Sequence, residues 1–296
     1  MLKLKSRSFK KAIVFASFVL PAAALYVFFI LYPLLTTIIR SFFAWNVTRN
    51  IFHFDGFANY ITIFTDDPGF RLSLLFTMRY AVVMVILINI VALLLAVGIE
   101  SGIRGKGIVR NMFFIPNVMS GMIVAFVWAF IFTGLYPQIV QLIGVEFLQI
   151  SWFATPTSAY WTVVIVSFWQ ALGFHVILYI AGLQVVPGEQ YESASIDGAS
   201  AFQKLHKITI PMIAPTITIN LFLSIANSLR MFDASMALTR GGPLRTTESI
   251  AFNIYNTAFR QNDLGAASAK SVILLIIVCL ITFLQLRLTS RKEVSL

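Results

Sequence analysis

The sequence predicts an all-α, polytopic membrane protein with six transmembrane helices. Of its 296 residues, 58% are hydrophobic and only 11% are charged, whereas soluble domains carry roughly 25% charged residues. A span needs about 20 apolar residues to cross the hydrocarbon layer. Six stretches fit this requirement: Ala12–Ile39, Leu72–Ile99, Ile108–Phe132, Ala159–Val186, Ile213–Leu238 and Ser271–Leu288.

The basic residues predict the orientation of these spans. The net charge of +10 would suit a nucleic-acid-binding protein, but in membrane proteins Lys and Arg collect in cytoplasmic loops. With a cytoplasmic amino terminus, the inner segments contain Lys3, Lys5, Arg7, Lys10, Lys11, Arg104, Lys106, Arg110, Lys204, Lys207, Arg287, Arg291 and Lys292. The outer loop Thr133–Ser158 contains none. We therefore expect both termini in the cytoplasm, membrane lipid around the spans and no nucleic-acid partner.

Three parts follow from this order of spans. Residues 1–70 form a cytoplasmic tail, the first helix and an outer loop. Residues 71–288 form a core of five helices that includes the polar segment 187–211, and residues 289–296 form a second cytoplasmic tail. Prolines inside the spans predict bends. They are tolerated there where neighbouring helices satisfy the carbonyls that a proline leaves free. They are Pro21, Pro33 and Pro116.

The polar segment 187–211 is predicted to form two short helices around a sharp turn. Gln190–Ile196 suits a helix, Asp197-Gly198 breaks it because glycine turns without strain, and Ala199–Ile208 resumes the helical pattern. Pro211 is expected to stop that pattern. Small side chains let another surface approach the backbone; they are Ser193, Ala194, Ser195, Ala199, Ser200 and Ala201. Composition alone leaves open whether the segment is a docking site or an ordinary interhelical loop.

The order of residues in this segment is more specific. It resembles the cytoplasmic "EAA" loop of ABC-importer permease subunits, with Ser193 where that family usually has Ala. The resemblance implies a type I ABC-importer permease fold and a coupling helix that docks in a cleft on an ATPase subunit. The matching positions, which would form the coupling site, are Glu192, Ala194, Asp197, Gly198, Ala199, Ile210 and Pro211.

Other motifs are similar to the carbohydrate branch of this family, such as the maltose and glycerol-phosphate systems. They are Asn59-Tyr60, the run Thr239-Arg240-Gly241-Gly242-Pro243, Thr247-Glu248, and the run from Asp263 to Ala269. The resemblance implies that the chain forms half of the pathway for a sugar or oligosaccharide from an external binding protein. It also implies a second homologous permease subunit and a dimer of ATP-binding subunits. Those subunits would hold ATP and Mg²⁺, so this chain would have no cofactor or metal site and would not be an enzyme.

A cargo site is predicted where polar side chains interrupt spans four and five. An uncharged sugar needs hydrogen-bond partners and aromatic faces at membrane depth. Asn220, Ser224 and Asn227 share one helical face. Together with the resemblance, this pattern predicts a cavity near the bilayer centre with a substrate-binding set of Gln170, Phe174, Ser224, Asn227 and Ser228. The alternative is that these groups only bond between helices, at about 0.6 kcal/mol each.

Ionisable residues in the spans bear on a competing function. Arg230 and Asp233 lie three residues apart, and we expect them to neutralise each other. His175 is expected to be packed and hydrogen-bonded, since span four offers no acid for a proton relay. An ion-coupled secondary transporter or channel remains the alternative function, but it would need more intramembrane acids than Asp233. A membrane-embedded enzyme ranks last, because no catalytic or metal-binding motif is evident.

Overall fold

The computed structural model describes residues 15–101, 105–144 and 150–289, and these are helical apart from one β-hairpin and the connections. The helices are α1 Phe15–Arg40, α2 Ala58–Thr65, α3 Pro68–Glu100, α4 Lys106–Val118, α5 Gly121–Ile143, α6 Pro156–Leu183, α7 Gly188–Ile196, α8 Ala201–Met212, α9 Ala214–Leu229, α10 Ile250–Tyr255 and α11 Leu264–Thr289. The hairpin pairs β1 Phe43–Asn46 with β2 Ile51–Phe54.

Within the described part of the chain, five helices are long and apolar enough to cross a membrane: α1, α3, α5, α6 and α11. A sixth span forms when the bent pair Ala201–Met212 and Ala214–Thr239 is counted as one, with 75° between its two parts. The predicted six-span, all-α fold is therefore confirmed. Beyond α9 the chain leaves the helix and resumes as a π-helical turn at Ala234–Thr239.

The prediction was wrong about the third span. The stretch Ile108–Phe132 is not one helix, because the backbone is extended at Met119 and Ser120, with ψ values of 145° and 134°. The membrane-length helix is α5, which begins only at Gly121. Pro116, Asn117, Ser120 and Gly121 interrupt the apolar sequence around this break.

Prolines change the helices in a regular way. Pro33, Pro137 and Pro211 each come two residues after a π-helical turn, at Val27–Leu31, Ile131–Leu135 and Leu205–Thr209. Proline has no N–H and its ring crowds the carbonyl four residues earlier, and the wider π turn relieves that crowding. Pro211 therefore does not stop its helix, contrary to the prediction, and α8 continues to Met212.

The chain divides into two compact units. Among the described residues, one contains 15–66 together with Ile254–Ile273, and the other contains Asp67–Asn253 and 274–289. In the first unit the hairpin lies against the start of α11. In the second unit α3 and α6 pack along each other, with Tyr80, Met84, Val163 and Tyr179 among the buried side chains. The division predicted at residue 70 stays a prediction.

Candidate functional site

The polar segment folds as a helical elbow, which we define as Gly188–Met212. Helix α7 ends at Ile196, and Gly198 then adopts a left-handed conformation with φ +74°. Ser200 caps α8. Its hydroxyl accepts a hydrogen bond from the backbone N–H of Gln203, and the side-chain oxygen of Gln203 accepts one from the backbone N–H of Ser200. The predicted helix–turn–helix is therefore confirmed, and the residue at its turn is one that readily takes positive φ.

The tip of the elbow is exposed. Glu192, Asp197 and Gly198 are exposed, whereas Ala194 and Ala199 are half-buried. Two large apolar side chains flank the turn, Ile196 at 87% and Phe202 at 75% exposure. Carboxylates beside exposed apolar side chains are typical of a surface that another protein covers. The predicted coupling residues Ile210 and Pro211 lie at the far end of α8, half-buried and exposed respectively.

Two hydrogen bonds join the helices of the elbow. The Tyr191 and Thr209 hydroxyl oxygens are 2.9 Å apart, and Lys204 Nζ donates to Ser195 Oγ over 2.7 Å. Beneath the elbow lies a cavity of about 410 Å³ whose wall includes Leu183 at the end of α6. Helices α7 and α8 are thus fastened to each other, which favours their movement as one body.

A second cavity, of about 340 Å³, lies between α3, α6 and the polar face of α9. Its lining residues are Tyr80, Met84, Ile88, Asn117, Ser167, Gln170, Ala171, His175, Ser224, Asn227, Ser228, Arg230, Met231, Phe232, Asp233 and Ala234. The structure therefore brings together four of the five predicted cargo residues, Gln170, Ser224, Asn227 and Ser228. Phe174 does not line this cavity. It packs edge-on against His175 instead, with 5.4 Å between the ring centroids.

Hydrogen bonds already occupy part of the cavity wall. Ser224 Oγ accepts from Asn89 Nδ2 over 2.9 Å, and Tyr179 donates to Asn89 Oδ1 over 2.7 Å. For Ser224, this supports the interhelical alternative. His175 is buried, and its Nδ1 lies 2.8 Å from Asn220 Oδ1, which confirms the expected packed histidine. The exposed amide of Asn227 leaves more freedom to meet a ligand.

The predicted pairing of Arg230 with Asp233 was wrong. Arg230 and Asp233 form no ion pair with each other, whereas Glu100 pairs with Lys106 and Arg110, and Arg245 pairs with Glu248. Arg230 instead occupies the carboxy-terminal cap of α9, where its Nε donates to the Ala226 carbonyl over 3.0 Å. The Asp233 carboxylate lies against Gly121, the first residue of α5.

Sequence reasoning missed Asn117 as a lining residue. Asn117 belongs to α4 and lies two residues before the break at Met119-Ser120. Gln170 Nε2 donates to the Met119 carbonyl over 3.1 Å, so α6 holds the broken segment in place. Local signals for the break were the predicted bend at Pro116 and the pair Ser120-Gly121.

Residues of the Thr239–Pro243 and Thr247-Glu248 motifs form hydrogen bonds within the loop that follows α9. Thr247 Oγ1 donates to the Gly242 carbonyl over 2.6 Å, and Ser235 Oγ donates to the Thr247 carbonyl over 2.6 Å. Arg245 Nε donates to buried Glu248 over 2.5 Å, and this hydrogen bond raises the pKa of Arg245. These bonds fix the conformation of the loop.

Comparison with known proteins identifies the family. Residues 88–294 match the family described as "Binding-protein-dependent transport system inner membrane component". The chain belongs to this family. It is 34% identical, over 99% of both chains, to a probable starch degradation products transport system permease of Thermoanaerobacterium thermosulfurigenes. It is 31% identical to a multiple sugar-binding transport system permease of Streptococcus mutans, over 94% of this chain and 96% of that one.

A solved structure supports the fold of this permease. One chain of a bacterial ABC transporter that imports the acidic polysaccharide alginate superposes with a TM-score of 0.84 at 20% identity, over 96% of this chain and 98% of that one. The type I importer fold predicted from the elbow motif is thus confirmed. Family membership also makes the chain a membrane-embedded transport component, so the ion-coupled transporter or channel finds no support.

Proposed function

We propose that this permease forms half of the translocation pathway of an ATP-driven importer for uncharged sugars or oligosaccharides. The names of its relatives, which refer to starch degradation products and multiple sugars, support this class of cargo. The polar cavity carries the proposal, because amide and hydroxyl groups at Gln170, Asn227 and Ser228 face a space of about 340 Å³. Ligand pockets typically have volumes of about 300–1,000 Å³ with a few convergent polar groups.

The partners of this permease follow from the same proposal. A second, homologous permease subunit completes the pathway, and an external binding protein delivers the sugar. A dimer of ATP-binding subunits holds ATP and Mg²⁺ and hydrolyses the nucleotide. The elbow then faces the cytoplasm, as do both termini, in keeping with the distribution of Lys and Arg.

The helices that line the cavity also reach the elbow. On α6, Gln170 lines the cavity and Leu183 the space under the elbow. These residues are 13 positions apart, or about 20 Å along a helix. On the other side α8 leads through the 75° bend into α9, which carries Asn227 and Ser228. A displacement of the elbow by the ATP-binding subunits would therefore move two walls of the cavity.

The test is transport by the assembled complex in proteoliposomes that contain ATP, with maltooligosaccharides and a panel of other sugars supplied through the binding protein. Asn227→Leu removes an exposed amide from the cavity wall. We expect a raised KM for uptake with unchanged assembly of the complex. Wild-type uptake by this variant would reject the cavity as the cargo site. Failure of the binding protein to bind any sugar would reject the cargo class.

A further inference from the structure

The hairpin after α1 carries four aromatic side chains on one face. Phe43 pairs with Phe54, and Trp45 pairs with Phe52. Directly opposed residues share a face of a strand pair, as do residues two apart on one strand. The rings contact one another, with centroids 5.3 Å apart for Phe43 and Phe52 and 5.6 Å apart for Trp45 and Phe52. Phe52 and Phe54 nevertheless remain 65% and 69% exposed.

A pocket of about 430 Å³ lies between this aromatic face and the end of α1. It is lined by Ile39, Arg40, Phe43, Trp45 and Phe52. The Arg40 guanidinium carbon lies 4.7 Å from the centroid of the Trp45 ring. The pocket thus combines one cation with walls that are almost entirely hydrocarbon and aromatic.

The other contacts of the hairpin fasten it to neighbouring segments. Asn46 forms a β-bridge with Asp263, and the Val47 N–H donates to the Asn262 carbonyl over 3.0 Å. The Asn59 side chain donates to the carbonyls of Ser41 and Phe43, each over 2.9 Å. The hairpin is therefore anchored through its backbone, and these anchoring contacts do not involve its aromatic rings.

The position of the pocket matches the interface of a bilayer. Helix α1 has 26 residues and is about 39 Å long, which exceeds the ~30 Å of the hydrocarbon layer. None of its membrane-crossing window is buried by the described residues. Arg40 is the last residue of α1, so Arg40 and the hairpin lie at headgroup depth, where aromatic side chains are enriched.

We infer that this pocket binds one glycerophospholipid, with its phosphate on Arg40 and an acyl chain along Ile39, Phe43 and Phe52. The lining matches the two parts of that molecule, an anion next to a hydrocarbon chain. A sugar ring would require several hydrogen-bonding side chains, and beside Arg40 and the indole N–H of Trp45 the lining has none. The unburied surface of α1 continues into the pocket through Ile39.

The first test counts phospholipids retained by the detergent-purified complex, using native mass spectrometry after mild delipidation and addition of phosphatidylglycerol. Arg40→Gln should lower occupancy of one tight lipid about tenfold, because a charge-assisted hydrogen bond is lost. The matched control is Arg49→Gln, which removes an exposed arginine in the hairpin turn that does not line the pocket. Equal retention by wild type and Arg40→Gln would overturn the inference.

The second test keeps Arg40 and the native pocket, so it remains informative if Arg40→Gln fails to fold. A photoreactive benzoylphenylalanine replaces Phe54, which shares the aromatic face and is exposed. Illumination of the complex in phosphatidylglycerol nanodiscs should give a lipid adduct on this chain. A crosslink to another protein subunit in place of lipid would show that a protein covers the face, and it would overturn the inference.

Discussion

The turn of the elbow gives the sharpest prediction. Gly198 has φ +74°, and a Cβ built on it would meet no atom of this chain within 4 Å. Substitution therefore brings no clash within the chain, and its cost is conformational. An L-residue in the left-handed region costs roughly 1–2 kcal/mol, whereas Asn adopts that region more readily than most residues. Gly198→Ala and Gly198→Asn separate backbone strain from side-chain size.

The magnitude follows from what docking requires. A free elbow with Ala at position 198 can relax to negative φ, but the docked elbow must return to the conformation seen here. The permease would then bind its ATP-binding subunits more weakly by up to the strain energy of roughly 1–2 kcal/mol. This corresponds to a factor of about 5–30. For Gly198→Asn we expect a loss of only a few-fold.

The assay is a titration of the permease pair in nanodiscs with the purified ATP-binding subunit, together with sugar-stimulated ATP hydrolysis. Backbone strain predicts that Asn binds more tightly than Ala. A cleft on the partner too narrow for any side chain predicts the reverse order, because Asn is larger. Wild-type affinity for both variants, or tighter binding by Ala than by Asn, would refute the reasoning about Gly198.

Three further predictions concern packing inside the chain. Ser224→Ala should lower stability by about 0.6 kcal/mol, the average for an interhelical hydrogen bond, and leave the KM for sugar unchanged. Gly265→Ala should cost about 1–3 kcal/mol, because a methyl group there would clash with the Phe43 carbonyl oxygen; thermal unfolding in detergent measures both changes. Gly121→Ala should clash with the Asp233 carboxylate, so its defect in stability should shrink by about 0.5–3 kcal/mol in an Asp233→Ala background.

The glycine substitutions share one control variant. Gly98→Ala lies in α3, where an added Cβ meets nothing within 4 Å, and should be neutral or stabilising by about 0.5–1 kcal/mol. A raised KM in Ser224→Ala would place that hydroxyl at the cargo after all. If the effects of Gly121→Ala and Asp233→Ala add without interaction, the two groups do not touch.

The sequence was sufficient for the number of spans and for the elbow. In lipid every backbone polar group must be satisfied within the segment, so length and hydropathy alone predict helices. The turn at Asp197-Gly198 could be read because glycine marks positive φ. The hairpin was not predicted, since Phe43–Asn46 and Ile51–Phe54 are short, aromatic and separated by an ordinary polar turn. Its contacts with Asn59 and Asp263 explain two motifs that the sequence alone only matched to a family.

The break after α9 could not be predicted. The sequence Arg230-Met231-Phe232 contains neither glycine nor proline, yet the helix ends at Leu229. Distant contacts stabilise such breaks, as Gln170 does when it donates to the Met119 carbonyl across 51 positions of sequence. Local propensity has no information about a bond of this kind, so Phe174 was placed in the cavity and Asn117 was missed.

The positions of Arg230 and Asp233 at the cavity are set by breaks in the helices. On a continuous helix residues at i and i+3 are neighbours, but the chain leaves the helix between Arg230 and Asp233. Arg230 therefore lies at the carboxy-terminal end of α9 and Asp233 at the amino-terminal end of α5. A cation is stabilised at a helix carboxy terminus and an anion at a helix amino terminus, because each meets a partial charge of opposite sign. The broken helices thus give each charged side chain a backbone partner at a different helix end, in place of the ion pair that one continuous helix would have allowed.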